Sequence, residues 1–480
     1  MSKIPTQIPK SLAKSIPAIA LRTYKNSLVV GVPDNLSKKR IDEILDVLVS
    51  KLNVDIELLF MNQNIIERNL EFVYGDFIEE SDQFREKIKL RSESTVIDLV
   101  DKLLESAYRL RASDIHIEPL IDEVLIRIRV DGKLEKLTSF DIEICPAIIS
   151  RLKVLSRLSI VERRKPQDGQ FSAKVSGREL DFRLSTVSTL YGEKAALRLL
   201  DTHQNLGSLE SLGMQPSQLR KLKDSIGGGN GLLISAGTTG SGKTTTMHSA
   251  LKLINSPSLN VCTIEDPVEY VIPGINHLPV NDAIGLTFAT QLRAVLRQDP
   301  DVVLVGEIRD AETARIAVQA ALAGRLVLST LHAPNAIGAI YRLYQMGIEP
   351  YQVAASLVGV ISQRLIRKNC EFCSTSYSPS SALKNHVLNL IGTSKMNFQR
   401  GEGCTICRGS GFFGRIGAFQ ILKIDEEIRE LISQRPSPLE LERASRKSGL
   451  KSIEEEAFMI ASQGKTSLEE AINFQVDDEK

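Results

Sequence analysis

The run Gly237-Thr238-Thr239-Gly240-Ser241-Gly242-Lys243-Thr244 fits G-x-x-x-x-G-K-[ST], and residues of those types at that spacing bind phosphate. The glycines let successive backbone N–H groups turn inward around phosphate oxygens. Lys243 is placed to reach the β- and γ-phosphates, and the Thr244 hydroxyl to bind Mg²⁺. Thr245 continues the same turn. Such a loop needs a strand leading in and a helix leading out. Gly231-Leu232-Leu233-Ile234-Ser235 reads as a buried strand, and Thr245 to Ile254 as a helix whose N-terminus faces the anion. A loop of this kind reads phosphates only, so it does not separate adenine from guanine.

Three later runs could bring further chemistry to the same place. Asn260 to Tyr270 starts as a short apolar strand and ends in adjacent carboxylates, Glu265 and Asp266. Asp301 to Asp310 repeats the arrangement: four apolar residues, Gly306, then Glu307. Leu326 to His332 delivers a histidine in the same way. Ligands of open α/β sheets bind beyond the carboxyl ends of the strands, so all three ends are expected to face the loop. A Mg²⁺-phosphate site uses one carboxylate to hold the metal's water shell and one to orient the attacking water. Glu307 and Glu265 are the candidates, with His332 as a phosphate sensor. The competing reading is that acids after a strand cap the next helix.

Cys370-x-x-Cys373 and Cys404-x-x-Cys407 are 30 residues apart, a spacing that fits a tetrahedral four-thiolate zinc site with one knuckle from each pair. Four thiolates close the coordination shell, so the site reads as structural. Buried unpaired cysteines are the alternative.

The elements that must hold these groups call for several domains, since 480 residues exceed one ordinary core. Net charge is +1, which points to neither nucleic acid nor anionic lipid, and aromatic residues, 5% of the chain, are too sparse for a base-stacking platform. No window approaches 18 uninterrupted apolar residues, so no membrane span is expected. Six cysteines and no secretory signal suit a reducing cytoplasm. Residues 1–20 are rich in Pro, Lys and Ser and read as partly mobile. A small α/β unit follows, with a strand at Ser27–Val32, a helix capped by Ser37, and a strand at Asp55–Met61. The expected boundaries are 1–80 for this partner-docking domain, 81–93 for a charged linker, 94–200 for a second α/β domain, and 201–213 for a hinge. The nucleotide domain is expected at 214–368, with a mostly parallel sheet and helices on both faces. A four-cysteine insert at 369–412 and a helical region at 413–480 complete the chain. In the second domain Val124, Ile126, Ile128 and Val130 alternate with Leu125, Arg127 and Arg129, and Asp131-Gly132 turns the strand into a hairpin.

These pieces resemble the secretion ATPase family, which includes type II secretion, type IV pilus assembly and DNA-uptake ATPases. The resemblance covers roughly residues 8–475. It rests on Ala112 to Pro119, Glu162 to Gly169, Leu190 to Lys194, and above all Leu296 to Asp301 running into Gly306 to Asp310. It implies a RecA-like P-loop core preceded by two smaller α/β domains, the second PAS-like. It places an Asp box on Thr263–Tyr270, a Walker B acid on Glu307 and a His box on Gly324–His332. It also implies that hydrolysis needs arginines of the second domain, which fall on Arg127, Arg129 and Arg151, with Arg293 and Arg297 as further candidates. From the residues alone, Arg127 and Arg129 read as a solvated strand face. The sequence departs from the family pattern in three places: Thr238 stands where Pro is usual, Arg325 where His is usual, and Ala333-Pro334-Asn335 where Thr-Asn-Asp/Ser is usual. None removes a phosphate or metal ligand.

The cysteine pairs, Gly338-Ala339-Ile340 and Met346 to Pro350 look like the type II secretion branch. The resemblance therefore implies a cytoplasmic ATPase using ATP, Mg²⁺ and Zn²⁺, working as a homohexamer on the inner membrane to assemble a pseudopilus for protein export. A bitopic membrane partner would hold the N-terminal domain and a polytopic platform protein the body, with no nucleic acid. The rivals are a pilus-assembly or DNA-uptake ATPase, a nucleic-acid translocase, and a scaffold that binds ATP without hydrolysing it.

Overall fold

The computed structural model describes residues 8–24, 27–74, 93–200, 206–393 and 395–476. The expected linker at 81–93 lies almost wholly outside them, as do residues 201–205 of the expected hinge. The chain divides into two compact units. One is 1–202 with 369–375 and 401–414, and the other is 203–368 with 376–400 and 415–480. Among the described residues no helix is long and apolar enough to cross a membrane.

The first unit holds two sheets. Strands β1 (Ile19–Tyr24), β2 (Ser27–Pro33) and β3 (Asp55–Met61) form a three-stranded sheet in that order, β1 antiparallel and β3 parallel to β2. The crossover is the helix Lys38–Leu52, whose N-cap Ser37 accepts from the Arg40 N–H as its sequence position predicts. Residues expected to be partly mobile are packed here. Ile8, Ala13, Ala18 and Ile19 are fully buried, and Ile19 opens a strand that the Pro- and Lys-rich composition concealed.

The second sheet is fully antiparallel, ordered β6-β5-β4-β9-β8-β7, from β4 (Asp114–Pro119), β5 (Glu123–Val130), β6 (Lys133–Asp141), β7 (Gln167–Val175), β8 (Arg178–Thr189) and β9 (Gly192–Leu200). Its inner face packs on the helices Glu93–Arg109 and Cys145–Leu155. The period-two alternation of β5 is realised: Val124, Ile126, Ile128 and Val130 are buried and the residues between them are not. Asp131 and Gly132, both at positive φ, make the turn into β6.

The second unit is built on a seven-stranded sheet ordered β12-β11-β13-β14-β10-β15-β18. Its strands are β10 (Gly231–Ala236), β11 (Val261–Glu265), β12 (Asn276–Pro279), β13 (Val302–Val305), β14 (Leu326–Leu331), β15 (Leu357–Asn369) and β18 (Phe412–Lys423), with β12 through β15 running parallel. The short β16 (Ser374–Ser376) and β17 (Gln399–Gly401) pair separately. Every residue of β10, β11, β13 and β14 is buried, as parallel strands with helices on both faces require. Leu232 and Ile234 look into one core with helices Phe288–Val295 and Ala311–Leu322. Leu233 looks into the other, with Met247 and Leu251 of helix Lys243–Ile254.

Two boundaries differ from those expected. The segment at 413–480 opens with β18 rather than with a helix, because Ile416 to Leu422 is an unbroken buried run that joins the sheet; helices follow only from Glu426. The cysteine insert is not one lobe either. Both knuckles share the core of the three-stranded sheet. The intervening helix Ser381–Ile391 belongs to the second unit, where Val387 packs into the cluster holding Phe458.

Candidate functional site: a phosphate loop between strand ends

The loop from Gly237 to Gly242 links β10 to helix Lys243–Ile254. Its three glycines sit at φ of 156°, 76° and 89° for Gly237, Gly240 and Gly242. At Gly237 a Cβ would lie 2.4 Å from Ser241 Oγ and 2.8 Å from the Gln363 carbonyl oxygen, so both space and backbone forbid a side chain. This is the close-fitting cradle that phosphate oxygens require. Gln363, from β15, donates its side-chain amide to the Ser241 carbonyl at 2.8 Å and braces the loop from below. No local sequence signal marks Gln363 as a brace, since it comes from 122 residues away. Lys243 donates to the carbonyls of Gly237 (2.8 Å) and Thr238 (2.9 Å). It is 9% exposed, and burial lowers its pKa, against the pull of Glu307.

The strand ends converge on this loop as their topology demands. Glu307 follows β13 and accepts from Arg309 at 2.5 Å, while His332 after β14 brings Nε2 to 3.6 Å from its other oxygen. Burial, then Lys243, depress the His332 pKa against the pull of Glu307, which favours the neutral ring. Helix capping falls to a different acid: Asp310 accepts from the Thr313 N–H at 2.8 Å, which leaves Glu307 for the site. Arg309 also reaches Asp266 at 3.4 Å, so one guanidinium links the two acid clusters.

Glu265 is 2% exposed and saturated with donors. Thr263 Oγ1 (2.6 Å) and His277 Nδ1 (2.9 Å) meet one carboxylate oxygen, and His248 Nε2 meets the other at 3.0 Å. Burial alone would raise its pKa, but these partners outweigh it and hold the group at about 2. Neither histidine was singled out from the sequence, since a lone His on a helix or strand carries no signature.

Two of the departures from the family pattern make local structural bonds. Arg325 donates to the Ala323 carbonyl at the end of helix Ala311–Leu322, and Asn335 caps helix Ala336–Gln345 by accepting from Gly338 at 2.8 Å. Arg293 pairs with Glu312 at 2.5 Å, and Arg297 donates to the Arg293 carbonyl at 2.9 Å.

In the first unit, Arg127 grips Glu118 with two bonds, 2.8 and 3.0 Å, while 36% of its side chain stays exposed. Lys194 reaches the same carboxylate at 2.8 Å. Asp114 faces Arg129 across the ladder at 3.6 Å and Arg198 at 3.1 Å. The outer face of the sheet is thus a lattice of ion pairs with both expected arginines in it. Arg151, on helix Cys145–Leu155, buries an Nε that has no hydrogen-bond partner among the described residues.

The four expected cysteines come together. Their Sγ atoms all lie within 4.8 Å of one another, with Cys370–Cys404 and Cys404–Cys407 at 3.7 Å and Cys373–Cys407 at 3.8 Å. A tetrahedron with Zn–S bonds of about 2.3 Å has S···S edges of about 3.8 Å, so the donor set fits zinc. The N–H groups of Cys404 (3.1 Å) and Gly411 (3.3 Å) point at Cys407 Sγ and favour a thiolate there.

Comparison with known proteins agrees with this geometry. The model of the type II/IV secretion system protein family matches residues 89–473. The chain is 39% identical to the type IV pilus assembly ATPase PilB of Thermus thermophilus over 98% of its own length, spanning 54% of that protein. It is 41% identical to type II secretion system protein E of Pseudomonas aeruginosa over 83% of its length, spanning 78% of that protein. A crystal structure of the pilus retraction motor PilT with bound ADP superimposes with a TM-score of 0.52 at 26% identity, covering 78% of this chain and 96% of that one. With its phosphate loop, strand-end acids and parallel sheet all in place, the chain belongs to the type II/IV secretion system protein family and is one of its ATPases.

Proposed function

We propose that this chain hydrolyses ATP to ADP and phosphate at the Gly237–Thr245 loop and that the work drives pseudopilus assembly for export by a type II secretion system. The observation that carries the reading is the meeting of Glu307 and His332 beside Lys243. Lys243 and the loop amides bind the β- and γ-phosphates. The Thr244 hydroxyl and Glu307 would hold Mg²⁺, which would neutralise charge on the phosphoryl oxygens. Glu307 orients the attacking water, and neutral His332 can hydrogen-bond a γ-phosphate oxygen. Arg127, Arg129 and Arg151 are the arginines proposed to supply the remaining positive charge, with Arg293 and Arg297 as further candidates. Zinc on the four cysteines is structural.

The chain works as a homohexamer at the cytoplasmic face of the inner membrane, with its N-terminal domain on a bitopic partner. Capture of solubilised membrane proteins on the intact chain, followed by identification, tests this. Recovery of a single-span and a multi-span secretion component supports the reading; recovery of nucleic acid with DNA-stimulated turnover sinks it. Pilus assembly is the second reading, favoured by the identity to PilB running over nearly the whole chain.

A further inference from the structure

His248 lies one turn beyond Thr244 on the helix that leaves the phosphate loop, and its side chain is 1% exposed. Both ring nitrogens face acceptors. Nδ1 is 2.9 Å from the Thr244 carbonyl oxygen and Nε2 is 3.0 Å from Glu265 Oε2. A carbonyl has no proton to give, and a carboxylate ringed by three donors keeps its charge. Two such contacts need two N–H groups, which a neutral imidazole does not have. His277 differs. Its Nε2 accepts the Ile272 N–H at 3.1 Å, so its single proton sits on Nδ1, between Glu265 Oε1 at 2.9 Å and Thr263 Oγ1 at 2.8 Å. The cluster then balances as one carboxylate against one imidazolium. The raised pKa of His248, where hydrogen bonding and charge from Glu265 overcome burial, agrees with this count.

Buried ion pairs contribute little net stability and are better at fixing geometry. This pair joins the turn that carries Lys243 and Thr244 to the end of β11. That strand is hydrogen-bonded to β13, with Ile264 beside Val305 and the Gly306 N–H donating to the Ile264 carbonyl at 2.8 Å. Glu307 is the next residue. A second tie runs in parallel: Tyr270, after the same strand, meets Thr245 Oγ1 at 3.2 Å and packs its ring 5.3 Å from that of His248.

We propose that His248, bridging the Thr244 carbonyl and Glu265 through its two ring nitrogens, is a positioning residue that sets the phosphate-binding turn against the strand pair carrying Glu307. The inference rests on hydrolysis at this loop, and it casts Glu265 as the anchor of that strand end.

The test uses the intact chain with Mg²⁺ and ATP. His248→Gln keeps a donor for Glu265 but lacks the second ring nitrogen that meets the Thr244 carbonyl. It is expected to lower kcat about 10-fold or more while KM for ATP moves less than about threefold, as loss of alignment without loss of binding would. His248→Gln combined with Glu265→Gln is expected to be no worse than the worse single variant, since the two act as one unit. Glu265→Gln, which keeps the shape of the cluster, is expected to show the same split between kcat and KM. Additive losses in the double variant, or an unchanged kcat in either single variant, overturns the proposal, and each single variant decides it if the other fails to fold. If Lys243→Ala remains active, the hydrolysis reading itself has failed; if Lys243→Ala is dead while His248→Gln keeps full kcat, only this proposal has.

Discussion

Lys243 and Glu307 separate binding from chemistry. Lys243→Ala removes the ammonium that the loop folds around, while the glycine cradle and its Gln363 brace stay. Turnover is expected to vanish with the fold intact, read as ATPase activity beside an unchanged circular dichroism spectrum. Glu307→Gln keeps size and still accepts from Arg309, but it loses the charge that helps place metal and water. ATP should still bind, and kcat should fall by about 100-fold or more. Gly237→Ala should act earlier, because a Cβ there meets Ser241 and the Gln363 backbone at φ of 156°. Nucleotide affinity, measured by titration with a fluorescent analogue, is expected to drop at least about 10-fold. The phosphate loop and Glu307 were legible in sequence because their chemistry is written in consecutive residues. His248, His277 and Gln363 were not, because each gains its meaning from a partner that only folding supplies.

Strands and helices were readable wherever periodicity was clean, as in β5 or the helix capped by Ser37. Two strands were not legible: β1, whose start is hidden by a Pro- and Lys-rich lead-in, and β18, whose largely apolar run beside a cysteine motif resembles the start of a helical tail. The same distance in sequence hid the association of the knuckles with the N-terminal sheet. The Thr405 N–H and hydroxyl both bond β1, at the Leu21 carbonyl (3.0 Å) and the Ala20 carbonyl (2.6 Å), at the point where its register shifts. Arg22 adds an ion pair to Glu402 at 3.3 Å. The second knuckle therefore covers the open edge of that sheet. Metal analysis should find about one zinc per chain. Cys404→Ser should lower that content and speed amide exchange over residues 19–33, while ATP binding persists. Full metal content, or unchanged exchange there, would separate the knuckles from the sheet.

At the scale of the whole molecule, hydrolysis needs positive charge on the phosphoryl oxygens beyond Lys243, and arginine clamps in phosphoryl transfer are worth about 10³–10⁵ in rate. Turnover is accordingly expected to rise steeply with protein concentration as subunits assemble. Arg127 tests the source. If it serves only the ion-pair lattice, Arg127→Ala leaves Glu118 with Lys194 and activity is kept. If it serves the phosphates, the variant is inactive, and mixing it with Lys243→Ala subunits restores turnover only when the arginine acts across subunits. The covered edge of β1 bears on a different matter, the order of events on the ribosome. Ala20 and Thr405 are 385 residues apart in the chain. At bacterial rates of about 5–20 residues per second, that separation is roughly 20–80 s of synthesis. Throughout that interval the first sheet made has a bare edge and an unfinished core, and it is completed only when the last cysteine pair emerges and joins the first.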